Sequence, residues 1–200
     1  MEDTHYATQT CVQEGCTQPA LTGAQHCWEH LEDREGFRNT LASKKLTGAW
    51  LAGADLSGCN LAGANIQRAR LSGASLREAN LRGADLRHTF LDEADLREAH
   101  LEQADLGFAV LGGADVSGAS FRGADLRRAN LVGTKGRGTD FTEADLYYAR
   151  PGNADFEGAS FRGAAIQRTI FRRANLRGAD LTGAKGEANF ENANLEGVTR

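Results

Sequence analysis

The 200-residue chain contains an unusual proportion of small side chains. Its 32 alanines and 24 glycines make up 28% of the sequence, whereas aromatic residues account for 7%. Because large side chains are few, this composition excludes a wide compact core, and any interior must be narrow and packed close to the backbone. With 40% hydrophobic and 25% charged residues, the chain is not compositionally disordered either.

The charge excludes a further class of protein. The formal net charge of −4 comes from 23 basic and 27 acidic residues, and residues 46–200 alone carry 19 bases and 20 acids. This balance excludes the usual strongly basic nucleic-acid-binding domain, so no direct nucleic-acid binding is expected. The sequence also contains neither an apolar run of 18 residues nor a signal-peptide pattern at its start. We therefore expect a cytoplasmic protein without membrane contacts.

Three cysteines and a histidine lie within twenty residues near the N-terminus, with the spacing C-x4-C-x10-C-x2-H. These residues are Cys11, Cys16, Cys27 and His30. Three thiolates and an imidazole are a donor set for structural Zn²⁺, and a closed set of four ligands leaves no position for a substrate. The alternatives are unrelated thiols or a disulfide with one free cysteine, and His5 or His26 could replace His30.

The residues that follow favour a helix. Apolar side chains recur there, acidic residues come early and lysines late, which suits the helix dipole, although Gly36 weakens the pattern. The apolar positions are Trp28, Leu31, Phe37 and Leu41. Directly before Leu46, such a helix would cover the apolar end of the repeated part of the chain. We therefore predict an N-terminal unit over residues 1–45, whose zinc module either completes this cap or binds a partner independently.

From Leu46 onward, every fifth residue is large and apolar. Of the 28 such positions between Leu46 and Leu181, 26 are Leu, Ile, Val or Phe, and the exceptions are Gly136 and Pro151. A second series, every fifth residue from position 49 to position 184, precedes the large residues by two places and is Ala in 23 of 28 cases. After Leu181 the pattern slips by one residue around Lys185, which we interpret as a loosened final coil.

A five-residue period fits neither a helix nor a straight strand. In a helix the apolar position would rotate by about 140° per repeat, and in a strand alternate repeats would face opposite sides. The pattern fits a short extended piece followed by a turn, with the small and the large residue pointing inward and the next two residues forming a corner. Backbone groups would then pair between successive coils.

The repeats resemble a known family. Residues 54–58 (Ala-Asp-Leu-Ser-Gly) and 124–128 (Ala-Asp-Leu-Arg-Arg) are similar to the pentapeptide-repeat pattern Ala-(Asp/Asn)-Leu-x-x, and the resemblance covers about residues 44–195. It implies an all-β fold, a right-handed quadrilateral parallel β-helix with four repeats to a coil. Residues 46–200 would then form a second unit, a solenoid of nearly eight coils.

The sequence carries no enzyme signature. It contains no H-E-x-x-H motif, no Walker loop, no G-x-S-x-G motif and no G-x-G-x-x-G opening a helix. Aspartates recur one coil apart at Asp85, Asp105, Asp125 and Asp145, and we interpret them as structural residues near the corners. We therefore predict that the protein is not an enzyme.

One of the four faces has large apolar residues where the other faces have polar ones. Its outward series, which we name the apolar stripe, is Trp50, Arg70, Phe90, Val110, Asn130, Arg150 and Ile170. Clustered exposed apolar side chains mark interfaces. We predict that a protein partner, or a second copy of the chain in a homodimer, binds on this side. The predicted contact residues are Phe90, Phe108, Val110, Tyr147, Tyr148, Arg70 and Arg150.

The two exceptions in the five-residue pattern lie on adjacent faces of adjacent coils. Glycine and proline at these positions indicate a local bulge of the wall. The bulge would carry Lys135, Arg137 and Arg150 outward as a small basic knob for an anionic group, and a tolerated defect is the alternative.

Two functions are therefore open. The first is a non-enzymatic scaffold, a rigid rod that binds an unidentified protein partner through the apolar stripe. The second follows from the resemblance, since well-known members of the family resemble B-form DNA, bind DNA gyrase or topoisomerase IV and protect them from quinolones. Mimicry of DNA needs an electronegative rod, and the nearly balanced charge of residues 46–200 argues against it.

Overall fold

The computed structural model describes residues 9–41 and 45–200. The alternative zinc ligand His5 lies outside these residues. In the described part the regular helices are a 3-10 helix at Trp28–His30 and the helix α1 at Arg34–Thr40. Within the described ranges no helix is long and apolar enough to cross a bilayer.

The helix expected after the cysteines is divided into two pieces. Residues 31–33 are not helical, because Asp33 caps the N-terminus of α1 and its Oδ1 accepts a hydrogen bond from the Gly36 backbone N–H at 2.7 Å. A Cβ atom on Gly36 would lie 2.0 Å from Asp33 Oδ2. In its present position the Asp33 carboxylate therefore occupies the space that a side chain at residue 36 would need.

From residue 46 the chain forms a β-helix solenoid whose coils pair in register. Each face contributes a single bridge residue, and the bridges are parallel and join residues twenty apart, such as Trp50 with Arg70 and Arg70 with Phe90. The Leu51 N–H donates to the Arg70 carbonyl at 2.8 Å, and the Arg70 N–H donates to the Ala49 carbonyl at 2.8 Å. The extended pieces are too short to form continuous strands, because two of every five residues belong to a turn.

The corners are type II turns. At residues 51–54, for example, the Ala54 N–H donates to the Leu51 carbonyl at 3.2 Å and Gly53, the third residue of the turn, has a φ of +68°. The same arrangement recurs along the rod, with a left-handed residue two places after the large apolar one. The sequence prediction of two-residue corners that often end in glycine is confirmed.

The interior is as narrow as the composition requires. Alanine and the large apolar residue of each repeat are buried along the rod, and phenylalanines replace leucines in its C-terminal half. At four alanine positions a threonine is buried instead, and its hydroxyl group donates a hydrogen bond to a backbone carbonyl of the preceding coil. These residues are Thr89, Thr134, Thr139 and Thr169.

The N-terminal segment packs against the first coil. Phe37 and Leu41 are buried in the same hydrophobic cluster as Leu46. Thr22 also covers the open backbone edge, because its N–H donates to the Trp50 carbonyl at 3.1 Å and its Oγ1 accepts from the Trp50 N–H at 2.7 Å. A cap that shields both the apolar end and an unpaired edge limits pairing with other chains.

The two interruptions of the pattern do not form a bulge, so that prediction is wrong. Gly136 keeps the register, since its N–H donates to the Asp155 carbonyl at 2.7 Å. The ring of Phe156 fills the space of the missing side chain, and a Cβ atom on Gly136 would lie 2.4 Å from it. At Pro151 the wall loses only the hydrogen bond that a proline cannot donate, which explains why Arg150 and Ile170 form no bridge.

The final coil is one residue shorter than the others, as the sequence predicts. Ile170 pairs with Asn189 and Asp180 pairs with Thr199, so the spacing falls from twenty residues to nineteen. Gly186 lies at the deletion with a φ of +97°.

Candidate functional site

The predicted zinc ligands converge in the N-terminal segment. The ligand atoms of Cys11, Cys16, Cys27 and His30 all lie within 4.8 Å of one another, close enough to bind a metal ion. His30 Nδ1 is 3.4 Å from the Cys11 sulfur and 3.3 Å from the Cys27 sulfur, and the sulfurs of Cys16 and Cys27 are 3.9 Å apart. A tetrahedral zinc site requires about 3.8 Å between sulfurs and about 3.6 Å between sulfur and nitrogen. The four ligand atoms are therefore close enough to hold one metal ion.

The thiols are free and one of them is activated. The cysteines form no disulfide, and Cys11 and Cys27 are buried. Although burial raises the pKa of Cys11, backbone hydrogen bonds from Cys27 and Gln13 and a side-chain hydrogen bond with His30 lower it to about 6. A thiol that is deprotonated at neutral pH is in the form that binds metals.

The structure brings the residues of the apolar stripe into one line along the rod. Consecutive members from Trp50 to Arg150 pair by parallel bridges. The guanidinium of Arg70 lies between two rings, 5.4 Å from the centroid of Trp50 and 5.1 Å from that of Phe90. Phe90 is 37% exposed, and Val110 is half-buried.

A second line of large side chains runs parallel to the stripe at the adjoining corner. We name it the corner ladder, and its residues are Arg68, His88, Phe108, Arg128, Tyr148 and Arg168. Each has a φ between 57° and 61°, the left-handed region that favours glycine. The other three corner series have glycine at most of the equivalent positions. Six consecutive coils thus place a bulky side chain where glycine would be less strained.

The corner ladder is held together by stacking. His88 and Phe108 stack with ring centroids 5.0 Å apart, and Arg128 lies 5.4 Å from the ring of Phe108 and 5.7 Å from that of Tyr148. Arg168 lies 5.1 Å from the Tyr148 ring and donates to its hydroxyl. Cations over aromatic faces contribute about 0.5–1 kcal/mol each at exposed sites. Phe108 is nonetheless 47% exposed.

The stripe and the ladder together form one surface, which we name the arginine–aromatic edge. A groove of about 500 Å³ lies between them, lined by Phe108, Arg128, Asn130, Tyr148 and Arg150. Tyr147, the remaining predicted contact residue, is half-buried and packs edge-on against Tyr148 with ring centroids 4.6 Å apart. All the predicted contact residues therefore lie on or beside this edge.

The arginines of this edge differ from most of those elsewhere on the rod. Among the residues that the structure describes, no carboxylate forms an ion pair with any of these five arginines. They are Arg68, Arg70, Arg128, Arg150 and Arg168. On the neighbouring face Arg87 pairs with Asp85 at 2.6 Å and Arg127 pairs with Asp125 at 2.5 Å. Arg137, part of the expected basic knob, is also neutralised, by Asp155 at 2.7 Å and Glu157 at 3.4 Å.

The recurring aspartates are structural, as their spacing suggests. The Asp105 carboxylate accepts a hydrogen bond from the Gly107 N–H at 2.9 Å, and the Asp145 carboxylate accepts one from the Tyr147 N–H at 2.9 Å. Each aspartate thus fixes the first residue of the following corner.

Sequence reasoning found the stripe but missed the corner ladder. Its signal is present in the sequence, since positions 68, 88, 108, 128, 148 and 168 contain no glycine, whereas the same position at the other corners is mostly glycine. Sorting corner residues by coil, as well as outward residues, would have identified it.

Comparison with solved structures finds similarity to several other proteins. A trypsin-treated variant of QnrB1, a plasmid-mediated fluoroquinolone resistance protein, is 22% identical over 78% of this chain and 83% of that chain, with a TM-score of 0.49. HetL, involved in heterocyst differentiation regulation in the cyanobacterium Nostoc sp. strain PCC 7120, is 26% identical over 85% and 95% of the two chains, with a TM-score of 0.27. A thylakoid lumen protein of Arabidopsis thaliana is 30% identical over 64% and 71%, with a TM-score of 0.25.

Comparison with curated protein sequences finds no match. The family described as pentapeptide repeats does match, with 8 copies over residues 45–77, 74–107, 104–135, 119–150, 129–163 and 154–185. These segments cover more than half of the chain and coincide with the coils whose bridges recur every twenty residues. The chain therefore belongs to the pentapeptide-repeat family.

Proposed function

We propose that the protein is a non-enzymatic interaction rod that binds a protein partner through the arginine–aromatic edge. The observation that carries this proposal is the exposure of two rings: Phe90 and Phe108 are 37% and 47% exposed, two and three coils beyond Trp50, the stripe residue that the cap contacts. Burial of such rings in an interface contributes favourably to binding, and aromatic residues and arginine are enriched in interfaces.

The backbone supports the same proposal. Paired coils on every side make the rod a rigid support, which keeps the side chains of the edge in place before binding. Non-glycine residues with positive φ also occur at the other corners, such as Glu93 and Glu143, but only the corner ladder has them in six consecutive coils, and strained backbone is typical of functional sites.

The test is a double substitution that makes the stripe acidic. Phe90→Asp with Val110→Asp places two charges where apolar contacts are proposed, and we expect partner capture from a native lysate to fall by at least about tenfold. The matched control, Asn80→Asp with Ser160→Asp, adds the same charge on the opposite face. Sedimentation of both variants shows whether the partner is a second copy of the chain. Unchanged capture and unchanged oligomeric state in the stripe variant would remove the proposal.

Protection of gyrase or topoisomerase IV by DNA mimicry is the alternative function. The rod gives it less support, because ion pairs with Arg87, Arg97 and Arg127 neutralise aspartates that would have to imitate phosphates. A gyrase supercoiling assay with and without a quinolone tests it, and protection of the enzyme by micromolar protein is the result that would favour it.

We also propose that the four N-terminal ligands bind one structural Zn²⁺. Three cysteines and one histidine with the observed spacing suit zinc, and a cap of so few residues has little core of its own. Metal analysis of the purified protein is expected to give about one zinc per chain, and Cys16→Ser is expected to abolish it. Cys59→Ala is the control, since Cys59 is buried in an alanine position of the rod. A zinc-free protein, or equal zinc in Cys16→Ser, would refute the assignment.

A further inference from the structure

The arginines of the arginine–aromatic edge are prepared for an anionic partner. A guanidinium has five N–H donors in its plane and two flat faces. In Arg70 and Arg128 aromatic rings cover both faces, at 5.1–5.7 Å between the guanidinium carbon and the ring centroids. Stacking orients the plane but uses none of the N–H groups, so the donors at its edge stay available.

Most arginines of the rod have a carboxylate partner already. Arg82, Arg87, Arg97, Arg122, Arg127, Arg137, Arg162, Arg172 and Arg177 pair with acidic side chains of their own or a neighbouring coil. The edge thus collects cations without neutralising them in a protein whose net charge is −4. Charge complementarity therefore favours a partner that supplies carboxylates or another anion.

The groove between the stripe and the ladder fits an extended chain. Arg128 and Arg150 line its two sides, and Ala129 and Ala149 between them point into the core. The backbone of the floor is already paired, since the Asn130 N–H donates to the Ala109 carbonyl and the Arg150 N–H donates to the Ala129 carbonyl. A partner would therefore be recognised by side chains along the groove and not by adding a strand.

Single-stranded nucleic acid is a poorer fit than a polypeptide. Bases bind by stacking on free aromatic faces, whereas His88 and Arg128 cover Phe108, and Arg128 and Arg168 cover Tyr148.

We infer that the arginine–aromatic edge binds an extended acidic segment of a partner protein, whose carboxylates pair with Arg70, Arg128, Arg150 and Arg168. The apolar side chains of that segment contact Phe90, Phe108 and Val110. Bidentate pairing with a stacked guanidinium supplies orientation as well as attraction. This inference rests on the proposed function, because it names the chemistry of the partner at the same surface.

The test is fluorescence anisotropy with three labelled probes. They are a twelve-residue peptide of Glu-Ser-Val repeats, its Gln-Ser-Val counterpart and a twelve-nucleotide thymidine strand. We expect the glutamate peptide to bind and the glutamine peptide to bind at least about tenfold more weakly, because a carboxylate accepts charge-assisted hydrogen bonds from the arginines and a neutral amide does not. Binding of the glutamate peptide is expected to weaken with added salt.

Protein variants locate the binding. The double substitution Arg128→Gln with Arg150→Gln is expected to lower the affinity for the glutamate peptide by about tenfold or more. The control, Arg122→Gln with Arg162→Gln, removes the same charge from another face and is expected to leave the affinity unchanged. Arg128→Lys is expected to weaken binding too, because lysine keeps the charge but lacks the planar fork. Urea unfolding shows whether each variant is folded.

Four results would overturn the inference: no binding of the glutamate peptide, equal binding of both peptides, tighter binding of the thymidine strand, or equal losses in the edge and control variants. Should the glutamate peptide fail while partner capture still depends on Phe90 and Val110, only the acidic chemistry is wrong. Failure of both experiments would remove the proposed function as well.

Discussion

At the corners, the turn conformation favours glycine, but the corner ladder has large side chains at this position. A type II turn needs a positive φ at its third residue, and glycine adopts it without a steric penalty. Where the chain uses Phe108 or Tyr148 at this position, stability is lower than it would be with glycine, by about 1 kcal/mol per residue. Six such residues in consecutive coils fit the proposed interaction surface, since the other corners have glycine at most of the equivalent positions.

This trade-off gives a prediction for Arg68, the first residue of the corner ladder. Arg68→Gly is expected to raise the free energy of unfolding by about 1 kcal/mol, because the φ of 58° is strained for arginine and not for glycine. Ala62→Gly is the matched control at a first corner position, where φ is not positive, and should lower stability by about 0.5–1 kcal/mol. Urea unfolding measures both. A lower free energy of unfolding in Arg68→Gly would contradict this prediction. It would show that the side chain of Arg68 stabilises the fold by more than its strained backbone destabilises it.

At the scale of the repeated unit, the sequence predicts the features of the fold that are determined by inward-pointing side chains. Leucine and alanine at fixed spacing determine which residues face the core, and the core determines the register, so the coil length of twenty residues and the short final coil follow directly. Gly136 shows where this reasoning stops. Its missing side chain is replaced by the ring of Phe156, which lies twenty residues later in the chain and fills the space from the next coil. Packing between coils is a property of the assembled rod and is not visible within one repeat.

The outward-facing elements are less constrained and were predicted less completely. The stripe was found because apolar residues are unexpected at an exposed position. The stacking of Arg128 between Phe108 and Tyr148 was not, because it depends on distances between corner residues of three coils. The N-terminal segment lies between these cases: cysteine spacing predicts the ligand set, but only the fold places Thr22 on the edge of the first coil.

Over the whole molecule, carboxylates outside the arginine–aromatic edge form ion pairs with arginines, and folding lowers their pKa values. Hydrogen bonds from Arg87 and Arg97 lower the pKa of Asp85 and Asp95. Burial raises the pKa of Glu102, but hydrogen bonds, the strongest from Arg82, lower it to about 2. In the unfolded chain these groups return to their usual values of 3.8 for Asp and 4.5 for Glu. Their contribution to stability is thus complete above about pH 5 and disappears as the pH falls toward 2.

We therefore expect the urea midpoint of unfolding to be nearly constant between pH 7 and pH 5 and to fall between pH 5 and pH 3. Because each ion pair lies at the surface, its protonation lowers the free energy of unfolding by up to about 1 kcal/mol, and the total decrease depends on how many such pairs the rod contains. Arg82→Gln is the variant that isolates one of them: without its main partner, Glu102 is protonated at a pH closer to that of the unfolded chain, and the loss of stability between pH 5 and pH 3 becomes smaller. Arg68→Gln, which removes an arginine without a carboxylate partner among the described residues, should keep the full acid dependence. A midpoint that stays constant down to pH 3, or an equal change in both variants, would show that these ion pairs do not stabilise the rod.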